Sequence, residues 1–107
     1  MKRQISFLFS ILFFIACSVK INATVKLPSI FSDNMVLQEN TQVNVWGKAS
    51  ANERITVTTS WNFKRYATIA DASGKWTLKI KTPRATKNQK ITVKGENVIQ
   101  INNILIG

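Results

Sequence analysis

Ser32, Asp33 and Asn34 are three consecutive side chains that could serve hydrolytic chemistry. A serine hydroxyl becomes a nucleophile when a neighbouring base takes its proton. The chain contains no histidine, so a Ser-His-Asp triad cannot be assembled from it. Ser, Asp and Asn are also common in turns, because their short side chains hydrogen-bond the local backbone. We therefore predict a turn at this position and no catalytic residue in the chain.

The residues that other kinds of catalytic or ligand site need are also missing or scattered. The five acidic residues are scattered along the chain, so no local carboxylate pair of the glycosidase type is indicated; they are Asp33, Glu39, Glu53, Asp71 and Glu96. The four glycines stand singly, so there is no glycine-rich phosphate loop. We predict neither a metal site nor a cofactor.

One aromatic cluster, Trp61, Phe63 and Tyr66, could contact a ligand. It includes Lys64 and Arg65, and such a mixture suits either a sugar-stacking surface or single-stranded nucleic acid. A solvated, lysine-rich sheet face explains the basic residues more simply. We predict Trp61, Phe63 and Tyr66 as the candidate glycan contacts and no nucleic acid partner, because exported proteins rarely meet nucleic acid.

Export is predicted by the N-terminus. Met1–Gln4 is short and basic, and Ile5–Val19 is almost entirely apolar, which is the order of a signal peptide. The apolar run is shorter than the roughly 20 residues that cross a membrane. We predict a signal peptide at residues 1–23, cleaved after Ala23, and a periplasmic or extracellular protein. Membrane attachment is expected only if Cys17 is lipidated or the signal is retained.

The predicted mature part, residues 24–107, is basic and free of cysteine. Without Lys2, Arg3 and Lys20, 12 of the 15 basic residues remain against 5 acidic ones, a net charge of +7. Cys17 is the only cysteine, so the mature part can form no disulfide.

Hydrophobic residues in the mature part recur with a period of two, which is typical of strands. Trp76, Leu78 and Ile80 share one face of a strand, whereas Thr77 and Lys79 share the other. Trp76 is therefore expected in the core. Similar alternation occurs in four other segments, at Val43–Trp46, Ile55–Ser60, Lys90–Lys94 and Ile99–Ile106. No segment has a helical period. We predict an all-β domain, a small antiparallel β-sandwich of the immunoglobulin-like or jelly-roll-like kind.

Turn signals separate these strands. They lie at residues 47–53, 71–74, 82–88 and 94–97, where Gly, Pro, Asn, Asp and Ser are concentrated. No low-complexity linker interrupts the mature part, which we predict to be a single domain.

Several segments together resemble a known family. They are Val25–Gln38, Val43–Ala49, Ala70–Trp76, Gly95–Asn97 and Ile104–Gly107. In order and approximate spacing they are similar to the opening of bacterial sialate O-acetylesterases, secreted enzymes of the SGNH hydrolase family that remove acetyl esters from sialic acids.

The resemblance implies an N-terminal β-sandwich followed by an α/β hydrolase domain. In that family the nucleophile lies in a Gly-Gln-Ser-Asn motif shortly after a segment like Leu105–Gly107, and the catalytic Asp and His follow much later. The chain stops before this motif, so we expect a truncated, inactive fragment whose partner is the missing catalytic domain. Two alternatives stay open: a free-standing secreted carbohydrate-binding module and a structural interaction domain.

Overall fold

The structure, a computed structural model, describes residues 25–107. The predicted signal peptide and Cys17 lie outside the described residues. Residues 25–107 form seven strands and no helix. The strands are β1 (Val36–Leu37), β2 (Gln42–Lys48), β3 (Arg54–Thr59), β4 (Arg65–Ile69), β5 (Lys75–Lys81), β6 (Thr86–Lys94) and β7 (Val98–Ile106).

The strands form two sheets. One has five strands in the order β1-β7-β6-β3-β4, and the other is the antiparallel pair β2-β5. The pairs within the larger sheet are antiparallel except β1 and β7, which run parallel. The predicted all-β, sandwich-like fold is confirmed, with this one short parallel pair added.

The core lies between the apolar faces of the strands. In the β2-β5 pair, Val43 is opposite Ile80 and Val45 is opposite Leu78, so the apolar faces predicted for both strands coincide. Trp76 is 3% exposed, as its place in the alternation predicted. The largest fully buried side chains include Ile55, Ile80, Ile91, Ile104 and Ile106.

Two β-bulges change the phase of β6 and β7. Asn88 and Asn103 have positive φ angles of 58° and 55°, and the pairing register shifts at both places. Ile101 and Ile104 are therefore both buried although they are three residues apart. Asparagine suits these positions because its short polar side chain tolerates the left-handed conformation.

The predicted turns lie where expected, although some are shorter. Strand β2 runs to Lys48 and β3 begins at Arg54, so Gly47 belongs to a strand and not to the turn. Strand β6 begins at Thr86, inside the predicted break at residues 82–88. The turn at residues 71–74 contains Gly74, whose φ of 82° favours glycine.

Candidate functional site

Ser32, Asp33 and Asn34 form a turn, as predicted. The backbone N–H of Met35 donates to the carbonyl of Ser32 at 3.2 Å, and Asn34 has a φ of 69°. The carboxylate of Asp33 accepts a hydrogen bond from the backbone N–H of Asn102 at 2.7 Å. The Asn34 side-chain oxygen accepts one from the Asn103 amide at 2.6 Å. The side chains of Asp33 and Asn34 therefore attach the turn to β7.

Trp61 and Tyr66, two of the predicted glycan contacts, meet at the backbone of Lys81. The indole N–H of Trp61 donates to the Lys81 carbonyl at 3.0 Å, and the Tyr66 hydroxyl accepts from the Lys81 N–H at 3.1 Å. Lys64 places its ammonium 4.9 Å from the centre of the Tyr66 ring. Both aromatic residues are half-buried, and their polar atoms connect the β3-β4 hairpin to β5.

Phe63, the third predicted contact, lies apart at the tip of that hairpin. It is 80% exposed and has a φ of 55°, which is unfavourable for a bulky side chain. Its N–H donates to the Thr59 carbonyl at 2.8 Å, and the Asn62 side chain accepts from the hydroxyl of Thr59 and the N–H of Lys64. Glycan contact by Trp61, Phe63 and Tyr66 stays a prediction.

An open groove of about 830 Å³ lies elsewhere, beside Trp46. Its apolar lining comes from Leu27, Pro28, Trp46, Ile69 and Trp76. Four charged residues, Lys26, Lys48, Asp71 and Lys75, complete its rim. A mainly apolar concavity with a few polar groups is the usual form of a small-molecule site.

The groove depends on a contact between the start of the described chain and β2. Lys26 and Lys48 exchange backbone hydrogen bonds of 2.8 and 2.9 Å, which bring Leu27 and Pro28 beside Trp46. Trp46 lies on the outer face of β2 and is 42% exposed, and Phe31 meets its ring nearly edge-on at 4.8 Å. The alternation of Val45 and Trp46 could have identified Trp46 as outward-facing. Nothing in the sequence indicated the bridge from Lys26.

Gly47 allows Trp76 to pack beneath β2. A Cβ added to Gly47 would lie 2.9 Å from a carbon of the Trp76 ring and would also collide with the Lys26 carbonyl oxygen. The indole N–H of Trp76 is buried and has no acceptor within residues 25–107. This groove therefore has an unsatisfied hydrogen-bond donor among its lining residues.

The charges around the groove are mostly positive. Lys48 and Lys75 are opposite one another in the β2-β5 register, and both are exposed. Asp71 is the one acidic residue of the lining, and its pKa is lowered mainly by the hydrogen bond from the Lys75 N–H, then by that from the Ser73 hydroxyl. Asp71 is thus ionised at neutral pH and accepts three hydrogen bonds from its own turn.

Two other features are absent from the described part of the chain. Residues 25–107 contain no group of three or more His, Cys, Asp or Glu side chains placed to hold a metal ion. They also contain no helix long and apolar enough to cross a membrane.

Comparison with known proteins gives a likeness to a solved structure. No protein-family model matches the chain, and no curated protein does. The crystal structure of a carbohydrate acetylesterase from Xanthomonas citri is similar, with a TM-score of 0.74 and 30% sequence identity. The likeness covers 78% of this chain and 19% of that enzyme. The described residues therefore form a domain related to part of a carbohydrate esterase.

Proposed function

We propose that this chain is the N-terminal, non-catalytic β-sandwich of an exported sialate O-acetylesterase. The observation that carries the proposal is the likeness to the Xanthomonas citri enzyme at 30% identity over 78% of the chain. The likeness spans 19% of that enzyme, and we propose that the catalytic residues lie outside the part that this chain resembles. The sialate substrate and the export rest on the resemblance of Val25–Gln38 and on the basic and apolar N-terminus.

The reaction proposed for the whole enzyme is acyl transfer to a serine. A histidine base takes the proton of the serine hydroxyl, and an oxyanion hole stabilises the tetrahedral intermediate. Since this chain has no histidine, it supplies neither the base nor the activated nucleophile. Its role is to pack against the catalytic domain, stabilise it or shape the edge of the substrate cleft.

A surface suited to such packing lies near Gly107. Val36 and Leu105 are register partners in β1 and β7, and both are exposed apolar side chains. Contiguous exposed apolar patches mark interaction sites, and a contact covering these two side chains would extend such a patch. We assign this surface to contact with the proposed catalytic domain.

An exchange of domains tests the proposal. Residues 25–107 would replace the corresponding segment of the Xanthomonas citri enzyme, and hydrolysis of p-nitrophenyl acetate by the soluble hybrid would be measured. We expect activity in the hybrid and loss of soluble enzyme when the segment is deleted. A hybrid that is folded but inactive, with the parent enzyme active, would contradict the proposal.

The chain by itself provides a second test. We expect no hydrolysis of O-acetylated sialic acid or of p-nitrophenyl acetate above the buffer rate. Hydrolysis that disappears in Ser32→Ala would overturn the non-catalytic assignment. Reading the gene beyond the Gly107 codon tests the family, because the resemblance requires a Gly-Gln-Ser-Asn motif within about a dozen residues in one of the frames.

A further inference from the structure

We propose that the groove beside Trp46 binds a saccharide that carries carboxylate groups. The groove is lined by residues 26–28 and by residues of β2, β4 and β5, and it does not include Trp61, Phe63 or Tyr66. This chain alone would bind the saccharide, so a negative binding result would leave the proposed esterase function unaffected.

Trp46 provides the stacking surface. It is 42% exposed, although it lies in the middle of a regular strand, and the edge-on contact with Phe31 fixes the orientation of its ring. A half-exposed indole held in one orientation loses little conformational entropy when a ring packs on it. The apolar face of a sugar ring is the ligand that fits such a surface in a groove with a polar rim.

The charges select an anionic ligand. Lys48 and Lys75 are cross-strand partners, and like charges in this arrangement repel one another. Lys26 stands next to Lys48 through the backbone bridge. A carboxylate between these ammonium groups would relieve the repulsion and would be attracted by all of them.

Asp71 offsets only one of the three lysine charges that line the groove, and its attraction to Lys75 is among the causes that lower its pKa. It accepts hydrogen bonds from the N–H groups of Ser73 and Lys75 and from the Ser73 hydroxyl, so its carboxylate is engaged within its own turn. Neither Lys26 nor Lys48 forms an ion pair within residues 25–107. Two ammonium groups at the rim are therefore available to a ligand.

A comparison of binding to three polymers distinguishes the contribution of the charges from that of the saccharide rings. Binding of the purified chain to polygalacturonate, neutral dextran and polyglutamate would be measured by calorimetry at low and moderate salt. We expect polygalacturonate to bind at least tenfold more tightly than either of the others, with affinity falling as salt rises. Equal binding of dextran would overturn the charge argument, and equal binding of polyglutamate would overturn saccharide recognition.

Matched variants locate the site. We expect Trp46→Ala to weaken polygalacturonate binding at least about fivefold, because a central aromatic anchor contributes more than 1 kcal/mol. Phe63→Ala removes an even more exposed aromatic ring that does not line the groove, and it should leave this affinity unchanged. The double variant Lys48→Gln and Lys75→Gln should weaken binding about tenfold.

A second double variant, Lys87→Gln and Lys90→Gln, controls for net charge. Both residues are exposed on β6, away from the groove, and the variant loses the same two charges. If both double variants weaken binding equally, attraction is non-specific and the inference is wrong. Near-ultraviolet circular dichroism would check the fold of each variant, and ligand-dependent amide shifts in β2 and β5 would locate the ligand if Trp46→Ala fails to fold. Shifts confined to the β3-β4 hairpin would contradict the inference.

Discussion

The Asp33 carboxylate accepts a hydrogen bond of 2.7 Å from the backbone N–H of Asn102, 69 residues away in sequence. This bond joins the turn before β1 to the bulge in β7. The reverse connection is a 3.0 Å bond from the Asn34 N–H to the Asn102 carbonyl. Both backbone groups of Asn102 are thereby paired at a place where the bulge interrupts the ladder with β6.

Replacing Asp33 by alanine should lower the free energy of unfolding by about 1 kcal/mol, since the Asn102 N–H would lose its charged acceptor at an exposed site. Urea denaturation measures the change. Ser32→Ala is the matched control, because Ser32 is exposed and its hydroxyl makes no hydrogen bond within the described part of the chain. Equal stability of the two variants would show that the Asp33 bond does not hold this turn.

The same pair of residues shows how far the sequence could predict this fold. Turn chemistry at Asp33 and the alternation of Trp76, Leu78 and Ile80 depend on neighbours in sequence, and both were predicted correctly. The partner of Asp33 could not be, because Asn102 approaches it only after β1 has paired with β7. The groove at Lys26 and Trp46 could not be predicted from the sequence either, since it forms when Lys26 bridges to β2.

Gly47 illustrates a different limit on predicting the fold from the sequence. A lone glycine near Asn and Ser indicates a turn, and Gly47 was assigned to one for that reason. It lies in β2 because Trp76 needs the space that a side chain would fill. A turn and a close contact with the Trp76 ring both favour glycine, so the sequence could not show which of the two explains Gly47.

Gly47→Ala should destabilise the domain by about 1–3 kcal/mol, because the new methyl group forces the Trp76 ring or the Lys26 backbone to move. Thermal unfolding followed by tryptophan fluorescence would measure this. Gly107→Ala is the control, since a Cβ there meets nothing within 4 Å among the described residues. A Gly47→Ala protein as stable as the parent would mean that the bridge between Lys26 and β2 yields without cost.

Asp71 should make stability depend on pH in the acidic range. Its pKa lies below the ordinary value of 3.8, mainly because of the Lys75 N–H and then the Ser73 hydroxyl. A lowered pKa in the folded state contributes stability above the unfolded value, and this contribution is lost as the pH falls through the folded value. Asp71→Asn should therefore flatten the decline in stability below pH 3.8.

The measurement is the urea midpoint of the parent and of Asp71→Asn between about pH 2 and pH 6, where carboxyl groups titrate. The gap between the two proteins should narrow as the pH falls. Glu96→Gln is the control for the loss of one surface charge, because the Glu96 carboxylate makes no hydrogen bond in the described residues. A gap for Asp71→Asn that is constant with pH would contradict the assigned hydrogen bonding.

Phe63 combines an unfavourable backbone conformation with a largely exposed ring. Variants of Phe63 can therefore test its effect on stability and its predicted glycan contact separately. Phe63→Gly should raise the free energy of unfolding by about 0.5 kcal/mol, because glycine adopts the φ of 55° without steric cost but loses more entropy on folding. Phe63→Ala keeps the backbone strain and should bring no such gain. If the ring contacts glycans, as the sequence predicted, both variants should lose glycan-array binding at this hairpin. A Phe63→Gly protein that gains stability and keeps all glycan binding would remove Phe63 from the predicted contacts.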